Sequence, residues 1–260
     1  MPRIILIVFL FFIDTQLKAQ SWEVGGFAGG AGYMGDLNPN NPLKISGIAA
    51  GAMVKYNFNG YLSARLNYTF GNISGADSTS SNQQMRSRNL SFNTQLNEVS
   101  LVGEFNFMKY VPSISESAFT PFIYVGIALT GYNPRANYGG QTYALRQYGT
   151  EGQTQAYPNA AISIPYGIGV KYNFTGAWNI IADIGYRNPN TDYLDDVSGT
   201  YPDKTQLSPI GAALSDRSGE KTGNYLGTIG SQRGDLRGRD TYLFIGFTIS
   251  YTFITPKCYY

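Results

Sequence analysis

Histidine is absent from all 260 residues, and cysteine occurs once, at Cys258. Without an imidazole, the chain cannot build a Ser-His-Asp triad. A metal site made from histidine and cysteine is excluded as well. One thiol cannot form an internal disulfide, so Cys258 is either free or bridged to another chain. Charge is also scarce: only 14 % of residues are Asp, Glu, Lys or Arg, and the net charge of +2 gives no electrostatic footprint for nucleic acid. Beyond the first twenty residues no apolar run approaches the roughly 18 residues of a membrane helix. These absences predict a non-enzymatic protein with no cofactor and no nucleic-acid partner.

The amino terminus reads as a secretory signal. Arg3 supplies the positive region, Ile4 to Ile13 an unbroken apolar run, and Leu17-Lys18-Ala19 a cleavage site before Gln20. About ten apolar residues are too few to span a bilayer as a helix. The expected domains are therefore a signal peptide, residues 1–19, and one exported domain, residues 20–260.

What the chain has in plenty is alternation. In Tyr242 to Phe253, YLFIGFTISYTF, one row is Leu243, Ile245, Phe247, Ile249, Tyr251 and Phe253. The other row is Tyr242, Phe244, Gly246, Thr248, Ser250 and Thr252, mostly small or polar. Side chains of a strand alternate with period two, so one face is oily over a length fitting a tilted membrane strand of about 9–11 residues. Similar segments are Trp22–Tyr33, Ile45–Phe58, Gly60–Asn72, Leu96–Phe107, Phe119–Tyr132, Ala161–Phe174 and Ala177–Arg187, with the last extending over Asp240–Ile254. Gly (31) and Tyr (21) are enriched, as suits packed barrel walls and bilayer interfaces.

The connections alternate too. Those around Asn59-Gly60, Met108 to Ala118 and Thr175-Gly176 are short to moderate, whereas residues 34–44, 73–95, 133–160 and 188–239 are long and rich in Gly, Ser, Asn, Asp and Pro. The fold class predicted is all-β: an eight-stranded antiparallel transmembrane β-barrel with long extracellular loops and short periplasmic turns. It belongs in the outer membrane of a Gram-negative cell, with both termini periplasmic and Cys258 on that side. Trp22 and Trp178 open strands at the short-turn rim, with Tyr56, Phe58, Phe107, Tyr172, Phe174, Tyr251 and Phe253 at the same level. Tyr33, Tyr68, Phe70, Tyr132 and Tyr186 are expected at the opposite rim.

Registering each strand by its oily row turns Glu23, Lys55, Arg65, Glu98, Glu104, Lys171, Asp183 and Arg187 inward. Four acids against four bases predict a paired interior network, since an unpaired buried ion is very costly. An eight-stranded interior is only wide enough for side chains, so a filled lumen is expected, not a pore. Asp192, Asp195 and Asp196 could offer oxygen ligands to Ca²⁺, but a solvated acidic loop or a loop-packing contact is the preferred reading. The glycine run at residues 25–32 lacks the helix and lysine of a phosphate loop. Arg233-Gly234-Asp235 is too short to count as an adhesion motif; Arg233, Arg237 and Arg239 read as a basic loop base that meets lipid head groups or the acidic segment.

Several stretches together resemble the small Bacteroidota outer-membrane barrels related to PorG, a type IX secretion component. The carriers are GGAGYMGDLNP (29–39), FTPFIYVGIALTGYNPRA (119–136), IPYGIGVKYNF (164–174), GYRNPNTDYLDDVSGTYPD (185–203), RGRDTYLFIGFTISYTF (237–253) and Lys257-Cys258. The most specific lies around Asp192, Tyr193, Asp195 and Asp196. The resemblance implies a structural and assembly component of the secretion and gliding machinery, anchoring a periplasmic lipoprotein ring to the outer membrane. It also implies that Cys258 tethers that lipoprotein partner. The competing expectations are a small passive channel and a surface-binding barrel using loops 133–160 and 188–239.

Overall fold

A computed structural model describes residues 21–235 and 237–253. Residues 1–19, read above as a signal, and Cys258 lie outside them. Nine strands run in chain order: β1 (Ser21–Met34), β2 (Ile45–Asn57), β3 (Leu62–Ala76), β4 (Ser91–Asn106), β5 (Phe119–Tyr138), β6 (Gln141–Ala144), β7 (Ala160–Thr175), β8 (Trp178–Pro189) and β9 (Thr241–Phe253). All pairings are antiparallel, and β4 also pairs with β5. The ring β1-β2-β3-β4-β5-β7-β8-β9 is thereby closed, an eight-stranded barrel with no free edge. Closure satisfies the backbone of the eight wall strands, which a strand exposed to hydrocarbon requires.

Alternation decides which side of the wall each residue takes. In β4, Glu98, Ser100, Val102, Glu104 and Asn106 are buried while Val99, Leu101 and Phe105 face out. The β5 partners Ile123, Val125, Ile127 and Leu129 are between 44 % and 58 % exposed, a level that only an apolar solvent outside the barrel explains. This outward belt marks a membrane-spanning barrel. At its short-turn end, rings pair edge to face or tilted: Trp22 with Tyr56 at 5.0 Å, and Trp178 with Tyr251 at 5.2 Å. The described chain enters and leaves at this end, where Trp22 pairs with Phe253.

At the opposite end the structure departs from the reading by sequence. Tyr33 and Tyr132 are 1 % and 4 % exposed and point inward, so they do not mark a rim as Tyr68 does at 52 %. Leu243, in the oily row, is buried as well. The strands here run past the belt into a folded cap, and alternation no longer separates oil from water there. Residues 73–76, 91–95 and 133–138 are strand, not loop. β5 turns into β6 through Gly139 and Gly140, both at positive φ (57° and 80°), the two-residue turn that suits a hairpin twist. The described residues of 188–239 contain three short helical turns, Lys204–Gln206, Pro209–Ser215 and Gly219–Thr222. The largest apolar cluster sits in the cap, including Leu37, Ile73, Phe92, Leu145, Leu194 and Leu214.

The turn after β2 also works differently from a simple Asn-Gly hairpin. Asn59 Oδ1 accepts from the Tyr61 and Leu62 amides at 2.8 and 2.9 Å, and Gly60 stays outside the left-handed region. Gly60 is needed for space, because an added Cβ would meet Lys109 Cγ at 2.8 Å.

Candidate functional site: a filled lumen beneath a folded cap

Seven of the eight charged residues assigned inward by register are 7 % exposed or less, and Asp183 is half-buried beside them. They form two layers. Nearer the short-turn end, Glu104 gathers three bases: Lys171 at 2.5 Å, Arg65 at 2.9 Å and Lys55 at 3.5 Å. Lys55 also reaches Glu23 at 3.1 Å, and Glu23 accepts from the Ser250 hydroxyl at 2.6 Å. The Arg65 Nε to Glu104 Oε1 contact is an ion pair whose atoms are misaligned for a hydrogen bond. Further in, Arg187 pairs with Glu98 at 3.0 Å, and the Tyr242 hydroxyl donates to the same carboxylate at 2.7 Å. Asp183 is more loosely held, 3.9 Å from Arg65.

Between the layers the lumen is not purely polar. Met53, Val102, Phe122, Tyr124 and Ile181 form a second apolar cluster. Lys171 stands over the Phe122 ring at 4.5 Å and Arg187 over Phe244 at 4.5 Å, so both cations have an aromatic face as well as an acid. A cavity beside Arg65, Tyr124 and Arg187 is about 30 Å³, and a smaller one beside Glu23 and Lys171 is about 10 Å³, room for a water or two. Tyr110, from the turn after β4, closes the short-turn end by donating to Asn179 at 2.8 Å.

The cap closes the other end. Asp195 and Asp196, adjacent in sequence and each 1 % exposed, point into different clusters. Asp196 adopts φ 69°, a conformation aspartate tolerates better than most residues. Its carboxylate accepts from Thr150 and from Tyr157, the latter at 2.7 Å. Arg233 donates to the Asp196 carbonyl at 2.6 Å and pairs with Glu151 at 2.9 Å. Burial, opposed by Arg233, pushes the Asp196 carboxyl up to about 6. Arg233 is thus a buried strut meeting the acidic segment, not an exposed loop base. Tyr193 stacks on Tyr157 at 4.4 Å, and Asp192 accepts from Ser198 at 2.7 Å.

Asp195 faces the barrel mouth. It accepts from the inward Tyr33 hydroxyl and from the Val197 amide at 2.9 Å. Asp240 accepts from the Leu194 amide at 2.9 Å, and Asp36 from the Asp235 amide. Burial, only partly offset by that amide, pushes the Asp36 carboxyl up to about 7. Register reasoning missed Asp36, Asp240, Glu151 and the inward Tyr33. Asp36 and Asp240 do sit inside the segments GGAGYMGDLNP and RGRDTYLF, but only folding brings them to Asp195.

The family described as "Domain of unknown function (DUF6089)" matches residues 2–260. No curated protein matches the sequence significantly. Among solved structures, the outer membrane protein OprG from Pseudomonas aeruginosa is similar at 11 % identity, covering 92 % of this chain and 98 % of that one, with a TM-score of 0.45. A major outer membrane protein from Thermus thermophilus is 12 % identical, covering 90 % and 100 %, with a TM-score of 0.44. The E. coli outer membrane protein W is 14 % identical, covering 92 % and 100 %, with a TM-score of 0.39.

Proposed function

Because this chain belongs to the DUF6089 family of domains of unknown function, across residues 2–260, we propose from its own geometry that it is a non-enzymatic structural barrel of the outer membrane. It serves as an assembly component of type IX protein secretion and gliding, anchoring a periplasmic lipoprotein ring of the kind the PorG-related barrels support. The observation that carries this reading is the lumen. Its charges are mutually paired and its cavities beside Arg65 and beside Glu23 are about 30 and 10 Å³, so the molecule offers surfaces and an anchor, not a path. In this reading the short-turn end is periplasmic and the cap extracellular. The exposed Met108, Lys109 and Ile114 of the turn after β4 are available to a periplasmic partner, and Cys258 tethers it.

The experiment is Cys258→Ala, compared with the parent on non-reducing gels of cell envelopes. Loss of a high-mass species containing the barrel is expected. An unchanged ladder removes the tether.

A surface-binding barrel is the second reading, favoured by one feature of the cap. Tyr225, Leu226 and Ile229 are 66 %, 52 % and 71 % exposed within residues 188–239. Replacing all three by serine should abolish surface adhesion and spare secretion if this reading holds.

A further inference from the structure

One oxygen of Asp36 accepts from the Asp235 amide, while the other, Oδ2, is buried with no hydrogen-bond partner. Asp36 is 2 % exposed, Asp195 1 % and Asp240 0 %. One carboxylate oxygen from each lies within 4.8 Å of the others. Oxygens on opposite sides of a Ca²⁺ ion, with bonds near 2.4 Å, stand about 4.8 Å apart, so the three fit around one centre. The nearby cations are committed elsewhere: Arg88 to Asp77, Arg233 to Glu151 and Arg237 to Asp235. Arg88 reaches only the Asp36 backbone carbonyl. Gly35 lets the chain come this close, because an added Cβ would collide with the Asp240 carboxylate and the Tyr33 hydroxyl.

We infer that Asp36, Asp195 and Asp240 form a calcium site that pins the β1–β2 connection and the 188–239 segment to the barrel mouth. Three buried carboxylates with one orphaned oxygen call for a cation or a proton, and among the described residues no Lys or Arg side chain forms an ion pair with any of the three. Calcium suits them better than magnesium: the ligands come from three separate segments, and a dry site cannot supply the waters that magnesium retains. The Tyr33 hydroxyl donates to Asp195 and lies 3.4 Å from Asp240 Oδ1, so it holds these two carboxylates side by side. The inference is independent of the secretion reading, because its test reads metal and not export.

The test uses the mature chain refolded in detergent micelles, with terbium luminescence sensitised by the adjacent tyrosine as the probe. Saturation at one equivalent, reversed by Ca²⁺, is expected, together with a rise in melting temperature on adding Ca²⁺. Asp36→Asn keeps an acceptor for the Asp235 amide and should weaken Ca²⁺ binding about tenfold or more. Asp203→Asn, a carboxylate of the same segment that bonds only to its neighbours Thr205 and Gln206, should bind as the parent does. Asp240→Asn gives the same reading should the first variant not fold. The inference is overturned by the absence of one-equivalent binding, by equal binding in a folded Asp36→Asn barrel, or by melting that responds to acid and not to Ca²⁺.

Discussion

Glu104 is the residue on which the lower lumen turns, since Lys55, Arg65 and Lys171 all meet its two oxygens. Removing one partner of a buried ion pair leaves the other side uncompensated, at about 3–5 kcal/mol. Glu104→Ala should therefore lower unfolding stability in lipid vesicles by about that amount, measured by urea titration. A loss under about 1 kcal/mol would mean the interior is wet enough to screen the three bases. Glu104 could be assigned inward from its strand's parity alone. That one acid serves three bases could not, because parity fixes a residue's side and says nothing about which strands face each other across the lumen.

Strands show the same division at the next scale. Val125 of β5 is 58 % exposed in the outward belt, paired with Gly103 and Tyr166 on either side. Val125→Lys should cost about 2–4 kcal/mol, the penalty for a cation near the bilayer midplane, in the same urea assay. The same substitution at exposed Asn93, beyond the belt on β4, should change stability little. Equal effects at the two sites would contradict a lipid boundary between them. Strand centres were legible because one face had to be oily and the other not. Strand ends were not: β3, β4 and β5 continue into the cap, where the buried face turns apolar (Ile73, Phe92, Leu96) and the outer face polar (Asn72, Asn93, Arg135), so an oily row no longer marks the outside. The hairpin at Gly139-Gly140 left a cue in its paired glycines, but nothing in the flanking residues separates it from an ordinary loop.

For the whole molecule, two plugs in series define its behaviour. Tyr110 and the Glu104 layer fill one end, and the cap's apolar cluster with Asp196 and Arg233 seals the other. The intact protein should therefore give no sustained current in planar bilayers at moderate voltage, and steady opening would refute the filled lumen. The cap itself is held by contacts of long range, such as Tyr33 to Asp195 across 162 residues. By itself the sequence determined an eight-stranded wall, its oily outside, its inward charges and the alternation of short and long connections. Each of these follows from period two and local turn chemistry, which act over a few residues. Only the tertiary structure decided that the long connections fold into a lid, that Tyr33 turns inward, and that Asp36, Asp195 and Asp240 converge. Those outcomes depend on which distant segments the closed ring brings to the same mouth, and no local rhythm carries that information.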